Sequence, residues 1–307
     1  MSMPNFLLVG AGKSGTTSLY HYLGQHPEVY MSPIKEPRFF ALEGKDPATF
    51  RGPGDREMIS QTAVTNLEDY RALFAGVSDE KAVGEATVTY LHLPEAAGRI
   101  RHYVPEARLI AVLRNPVERA YSAYLRKVST GRETLGFSEA LEEEEERIQN
   151  NWAPGWQYRR VGFYHAHLTR YYELFGHEQI RVYLYEELDR NPTGVTQNIF
   201  RFLGVDHTFV PDTSVRYDDD VSGIPRSHAL HTFVGKQNPL KSALKPLLPR
   251  GLRRRISANL HKGNLKEAPP MPQEVREELT EAYREDITKL EGLIGRDLSG
   301  WLGERAS

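Results

Sequence analysis

The sequence has no cysteine, which excludes disulfides and thiolate-held metal sites and fits a reducing compartment. It also lacks any apolar run approaching the roughly 18 residues of a membrane span. The run FLLVG at 6–10 is too short for a signal-peptide core and has no basic region before it. A soluble, cytoplasmic protein is therefore the expectation. An excess of either charge is missing as well: 39 Lys and Arg stand against 41 Asp and Glu. Wholesale attraction to nucleic acid is not implied, and any anion site must be local. Internal repeats and low-complexity tracts are absent. A chain of 307 residues is long enough for one large core, so a single domain over 1–307 is expected.

Short apolar runs alternate with amphipathic stretches, the pattern of βαβ units, an α/β fold and a mainly parallel sheet. The expected strands are Phe6–Val9, Ala82–Gly84, Leu109–Leu113 and Ile180–Tyr185. Thr16–Leu23 has helical spacing and stops at Gly24, a suitable C′ residue. Asn115 can cap a second helix, with Pro116 in its first position. Further helices are expected over Phe137–Gln149, Val161–Phe175, Pro192–Leu203 and Pro272–Ile294. In the last of these, Val275, Leu279, Ala282, Leu290 and Ile294 form one apolar stripe. The glutamate run at 142–146 reads as a solvated helix face. The two strand-to-helix crossings, after Val9 and after Leu113, open toward one edge of the sheet, where open α/β sheets bind ligands.

The first crossing, GAGKSGTT at 10–17, nearly spells the nucleotide loop G-x-x-x-x-G-K-[ST], in which backbone N–H groups cradle phosphate and lysine reaches the outer phosphates. Aligning Gly10 and Gly15 with its glycines puts Thr16 in the lysine position, while Lys13 lies inside the loop. Glycines and hydroxyl residues still run straight into a helix start, where Gly12, Gly15, Thr16, Thr17 and Ser18 can donate to one phosphate. A Walker-type ATPase is disfavoured, since nothing at Thr16 replaces the lysine's charge.

GAGKSGTTSLYHYLGQHPEV at 10–29 resembles the 5′-phosphosulfate loop of the sulfotransferases that use 3′-phosphoadenosine 5′-phosphosulfate (PAPS), in particular their carbohydrate and glycosaminoglycan branch. The resemblance implies a P-loop-like fold and a donor held by residues 12–18, Ser14 included. It also implies that Lys13 contacts the bridging oxygen and offsets the negative charge that grows there as the bond breaks. The family's second signature is a strand followed by an arginine and, eight residues on, a helical serine; LIAVLRNPVERAYSAYL supplies Arg114 and Ser122. Arg114 ends a strand at the ligand edge, and an arginine fork with a hydroxyl suits a 3′-phosphate, which ATP lacks.

In SPIKEPRFF at 32–40 the resemblance places the general base on Glu36; an attacking hydroxyl must lose its proton, and a nearby carboxylate can take it. GEATVTYL at 84–91 resembles a stretch lining the acceptor cleft, although Ala86 stands where several glycan sulfotransferases have lysine. The stretch 162–188 resembles the family's helix and fourth strand. HKGN at 261–264 resembles a late loop closing over the 3′-phosphate, with Lys262 and Gly263 at the matched positions. The implied reaction moves a sulfuryl group from PAPS to a hydroxyl, less readily an amine, of a carbohydrate, glycolipid or natural product, releasing 3′-phosphoadenosine 5′-phosphate (PAP) without a metal.

Alternatives are a kinase using ATP and Mg²⁺, and a non-catalytic glycan-binding protein on the same fold. His92 is the alternative base, from the branch acting on small phenols and steroids. His165 and His167, two apart on a helix, point to different faces and make no metal site. From Val221 to Leu265 the chain has no acidic residue but nine Lys and Arg. This lid-like stretch either meets an anion or balances the acidic helix.

Overall fold

The structure, a computed structural model, describes residues 3–217, 224–225, 265–266 and 268–303. Its main sheet has five parallel strands: β1 (Phe6–Gly10), β2 (Val29–Met31), β3 (Ala82–Ala86), β4 (Arg108–Leu113) and β5 (Ile180–Leu184), in the order β2-β3-β1-β4-β5. Phe6 lies opposite Gly84 on one side and Arg108 on the other. Every residue of β1 and β3 is buried, as central parallel strands covered on both faces require.

Side chains alternate across the sheet. Leu7, Val9, Leu109, Ala111 and Leu113 face one core, against α2 (Phe39–Leu42), α4 (Leu67–Ala72), α5 (Pro94–Tyr103), α6 (Pro116–Ser129), α9 (Tyr164–Leu174) and α12 (Gln273–Ile294). Phe6, Leu8, Ile110 and Val112 face the other, against α1 (Thr16–Leu23) and α11 (Pro192–Leu203). Two residue pairs, Ile224–Pro225 and Leu265–Lys266, form a small antiparallel ladder. Among the described residues no helix is long and apolar enough to cross a membrane.

The four expected strands are present, with small differences at their ends. β2 joins them at an edge; three residues are too few for a period-two pattern to register. Tyr185 opens α10 (Tyr185–Arg190) instead of closing β5, because the Glu187 carboxylate accepts the Leu184 N–H at 3.0 Å and starts a helix there. Gly24 does end α1, but with right-handed backbone, φ −69°.

Three helical expectations are corrected. Residues 137–149 form two helices, α7 (Phe137–Glu142) and α8 (Glu144–Gln149), broken at Glu143. The glutamate run is not uniformly solvated: Glu144 turns inward, and its carboxylate accepts the N–H groups of Arg159 at 2.7 Å and Arg160 at 2.8 Å. The stretch from Val161 begins in a 3₁₀ turn, and the α-helix proper starts at Tyr164. On α12 the buried stripe is Val275, Leu279, Tyr283, Ile287 and Leu290, with Ala282 outside. Tyr283 replaces Ala282 because its ring fills the core while its hydroxyl donates to the Arg159 carbonyl at 2.7 Å.

Two carboxyls among the described residues are 0% exposed, Asp55 and Glu85. Glu85, on β3, lies beside Tyr70 and Tyr90. Tyr70 stacks on Phe39 with ring centroids 4.4 Å apart, and its hydroxyl donates to Glu85 Oε1 at 3.2 Å. The Thr87 hydroxyl donates to Oε2 at 2.9 Å and accepts the Arg38 N–H at 3.3 Å. Burial pushes the Glu85 carboxyl up to about 7, and the charge of nearby Glu36 pushes the same way.

Glu85 thereby ties stability to pH. The folded protein keeps its proton up to about pH 7, whereas an unfolded glutamate loses it near the ordinary 4.5. The native state binds the extra proton between these values, so this contribution is complete below about pH 4.5 and is lost as pH rises through about 7. His167, held down to about 4 by burial, works in the opposite sense, so the wild type must be compared with Glu85→Gln. In urea unfolding at successive pH values, the stability of the wild type relative to Glu85→Gln should fall by about 3 kcal/mol from pH 4.5 to about pH 8. A difference independent of pH would overturn the assignment.

Candidate active site

β1 and β4 run side by side, so the loops that follow them meet at the same sheet edge. In the first loop Gly15 has φ +79°, and a Cβ there would stand 2.9 Å from Leu188 Cδ2, so only glycine fits without displacement. No side chain caps α1 at Gly15, leaving the first-turn N–H groups of Thr16, Thr17 and Ser18 at the positive end of the helix. The Ser14 hydroxyl is buried and has no hydrogen-bond partner among the described residues. Lys13 has φ +72°, a left-handed backbone that is costly for a long side chain. An uncapped helix start with an orphaned hydroxyl beside it is what a phosphate-bearing ligand would satisfy.

Arg114 immediately follows β4. Its Nη1 donates to the Lys13 carbonyl at 3.1 Å, its guanidinium lies 4.7 Å over the Tyr185 ring, and its carbonyl accepts the Tyr164 hydroxyl at 3.0 Å. Asn115 caps α6 as expected, accepting the Val117 N–H at 2.9 Å. A cavity of about 180 Å³ opens here, bounded by Gly12, Lys13, Gly15, Thr16 and Thr17 from the first loop, by Arg114, and by Lys35 and Glu36.

Glu36 also has a left-handed backbone, φ +63°, as does Arg38 at +58°. The turn is fastened from both sides: the Glu36 N–H donates to the Ala86 carbonyl at 2.9 Å, and Arg38 Nη1 donates to the Glu36 carbonyl at 2.8 Å. On the carboxylate, Oε1 accepts from Lys35 Nζ at 3.3 Å and from the Val88 N–H at 3.4 Å. Oε2 is buried, stands 3.5 Å from Arg38 Nη2 and accepts no hydrogen bond from the described residues. One oxygen is held by Lys35 and the Val88 N–H, and the other faces the Arg38 guanidinium.

The remaining expected residues are distributed unevenly. The Ser18 hydroxyl accepts the Tyr217 N–H at 3.0 Å and so fastens the segment passing over α1. Ser122 is half-buried on α6 and does not line the cavity, whereas Arg126, one turn further on the same helix face, does. Lys262 and Gly263 lie outside the described residues, as does most of the basic stretch 221–265. His92 faces a second, adjoining cavity. Burial, then His167 and three arginines, hold its imidazole well below its ordinary value, so it is neutral and a weak proton acceptor. Among the described residues no cluster of His, Asp and Glu could hold a metal.

Five wall residues were not singled out in the sequence: Lys35, Val88, Arg126, Tyr185 and Tyr217. Arg126 was open to discovery by helical spacing from Ser122. Lys35 stands beside Glu36 but belongs to no motif. Tyr185 and Tyr217 reach the cavity only through tertiary structure, the latter stacking on His21 with ring centroids 4.0 Å apart.

Residues 4–209 match the model of the sulfotransferase family. A sulfotransferase from Alicyclobacillus acidocaldarius, known from its crystal structure, is 38% identical and superposes with a TM-score of 0.76, covering 98% of this chain and 99% of that one. The mouse bifunctional heparan sulfate N-deacetylase/N-sulfotransferase 4 is 26% identical over 98% of this chain. Mouse carbohydrate sulfotransferase 15 is 26% identical over 66%. The matched regions span 31% and 44% of those two longer proteins. On the family match and the full-length structural likeness, the chain belongs to the sulfotransferase family.

Proposed function

We propose that the protein transfers a sulfuryl group from PAPS to an acceptor hydroxyl by in-line displacement and releases PAP. The observation that carries this reading is the meeting of Lys13, inside an uncapped phosphate loop, with Arg114 and Glu36 around one cavity. The acceptor oxygen attacks sulfur while its proton passes to the Glu36 carboxylate. The bond from sulfur to the 5′-phosphate oxygen breaks, and its electron pair stays on that oxygen. Lys13 and the first-turn N–H groups of α1 meet the charge that develops there. Residues 12–18 hold the 5′ end of the donor, while Arg114 and Ser122 recognise its 3′-phosphate; Lys262 and Gly263 join them on motif alone. The names of the two mouse relatives support a saccharide acceptor. ATP as the donor is the poorer reading, because Thr16 occupies the position of the Walker lysine.

Nucleotide preference tests the donor. Losing a charge-assisted hydrogen bond to phosphate costs roughly 1.5–3 kcal/mol, about ten- to 150-fold in affinity. In calorimetry PAP should bind at least tenfold tighter than 5′-AMP, and Arg114→Ala should erase most of that preference while changing 5′-AMP binding little. Equal binding of the two, or a preference for ATP with Mg²⁺, would remove PAPS as the donor.

The base is tested separately. Glu36→Gln keeps the side chain's shape and removes the proton acceptor, so kcat should fall roughly 10²- to 10⁴-fold with PAP affinity nearly intact. His92→Ala should be the milder change. The reverse order in steady-state rates would move the base to His92.

A further inference from the structure

The turn that carries Glu36 runs along the end of β3 and is held there at three points. The Ser32 N–H donates to the Gly84 carbonyl at 2.8 Å, and the Glu36 N–H to the Ala86 carbonyl at 2.9 Å. The third point is a side chain: the Arg38 N–H donates to Thr87 Oγ1 at 3.3 Å. Thr87 is itself fixed from behind, with its own N–H on the Leu8 carbonyl of β1 at 3.1 Å. It is 0% exposed, so water does not substitute for its hydroxyl. These contacts matter because Glu36 and Arg38 both have left-handed backbone, which a non-glycine residue keeps only where its surroundings over-determine it.

Behind Thr87 stands Glu85. An ionised carboxyl only accepts hydrogen bonds, so the Thr87 hydroxyl gives its one proton to Glu85 Oε2 at 2.9 Å and keeps its lone pairs for the Arg38 N–H. Tyr90 repeats the arrangement: its hydroxyl bonds to Glu85 and accepts the Phe40 N–H at 3.3 Å. Through these two hydroxyls one buried carboxyl takes up two backbone N–H groups at the start of α2, where the Arg38 side chain provides no cap. The Arg38 side chain turns back to the base instead. Its Nη1 donates to the Glu36 carbonyl at 2.8 Å, and its Nη2 stands 3.5 Å from Glu36 Oε2. A buried carboxyl costs stability that an apolar residue would not, and packing of the core does not call for one.

We propose that Thr87 and Glu85 are positioning residues for the base: the Glu85 carboxyl orients the Thr87 hydroxyl, the hydroxyl fixes Arg38, and Arg38 sets where the Glu36 carboxylate stands in the donor cavity. The proposal rests on the reading of Glu36 as the base in sulfuryl transfer. Thr87, Glu85 and Tyr90 do not line the donor cavity, so they do not touch a nucleotide bound there, and they act on the reaction through the turn at 36–38. A displacement of about 1 Å at a catalytic group costs on the order of a hundredfold in rate. Donor binding is expected to be spared, because Lys13 and Arg114 stand on the loops after β1 and β4.

The experiment compares Thr87→Val, which keeps the shape and removes the hydroxyl, with Thr87→Ser, which keeps the hydroxyl. In amide hydrogen exchange of the PAP-saturated protein, the Arg38 amide should lose roughly tenfold or more of its protection in Thr87→Val and keep it in Thr87→Ser, while the amides of β1 and β4 exchange as in the wild type. In PAPS turnover with desulfated heparan sulfate as acceptor, Thr87→Val should lower kcat roughly ten- to a hundredfold while PAP affinity holds. It should add little to the loss already caused by Glu36→Gln, because the two changes act through one group. Should Thr87→Val not fold, Tyr90→Phe is read in the same way at the Phe40 amide. An unchanged Arg38 amide, an equal loss of rate with and without the Glu36 carboxylate, or a Thr87→Ser variant as slow as Thr87→Val would overturn the proposal. A wild type that does not turn over PAPS, or a Glu36→Gln variant as fast as the wild type, would count against the sulfuryl-transfer reading or its base instead. The exchange measurement then judges the hold of Thr87 on the turn by itself.

Discussion

The hydrogen bond from Arg114 to the Lys13 carbonyl, at 3.1 Å, joins the two halves of the site. Parallel pairing of β1 with β4 brings their C-terminal ends together, but pairing alone does not fix the loops beyond them. Lys13 needs a left-handed backbone to turn the chain into α1, and such a conformation persists only where its surroundings over-determine it. Arg114 supplies part of that constraint, and is itself held by stacking on Tyr185 and by the Tyr164 hydroxyl on its carbonyl. The residue assigned to the nucleotide's 3′ side thus also shapes the loop assigned to its 5′ side. On the proposed reading, one arginine couples the two ends of the donor site.

Glu36 is placed by a comparable line of contacts from the core. Glu85 is fixed by Tyr70 and Thr87, Thr87 accepts the Arg38 N–H, and Arg38 holds the Glu36 carbonyl. The two carboxyls have opposite surroundings: one is enclosed among aromatic rings and keeps its proton near neutrality, while the other borders a cavity beside Lys35 and Arg38. A carboxyl about half protonated at pH 7 adds less than a full negative charge beneath Glu36 and still orients the turn above it. This connects the aromatic core to the chemistry, since the hydroxyls that satisfy Glu85 come from residues that also pack the core.

Local chemistry explains what was legible in the sequence. The central strands announce themselves by apolar runs, and α6 by Asn115 and Pro116, because a strand covered on both faces and a helix start each impose requirements within a few residues. That Lys13 and Arg114 border the cavity was legible because they sit in short motifs beside those strand ends, whereas Glu36, which follows the unexpected strand β2, came only from the family resemblance. What escaped depends on partners far along the chain. Glu144 turns inward to meet N–H groups fifteen and sixteen residues later, which no charge count reveals. Ala282 and Tyr283 are neighbours in sequence but about 100° apart around the helix, and Tyr283, whose hydroxyl reaches the far carbonyl of Arg159, is the one buried. Tyr217 comes to the donor cavity by resting on α1, a contact spanning almost two hundred positions.

The two cavities divide one concentration of positive charge. Lys13 and Arg126 border both, Arg114 borders the donor side, and Arg119, Lys127 and Arg132 border the other. In the proposed sulfuryl transfer the donor carries several negative charges, and a low-dielectric site could hold it only with cations beside it. The same field explains why His92 is a poor base here. Surrounded by arginines and buried, its imidazole resists a proton, and a proton gained there would add to an already positive wall. On the proposed reading, proton removal is better suited to Glu36, the one carboxylate among the described residues that borders the first cavity.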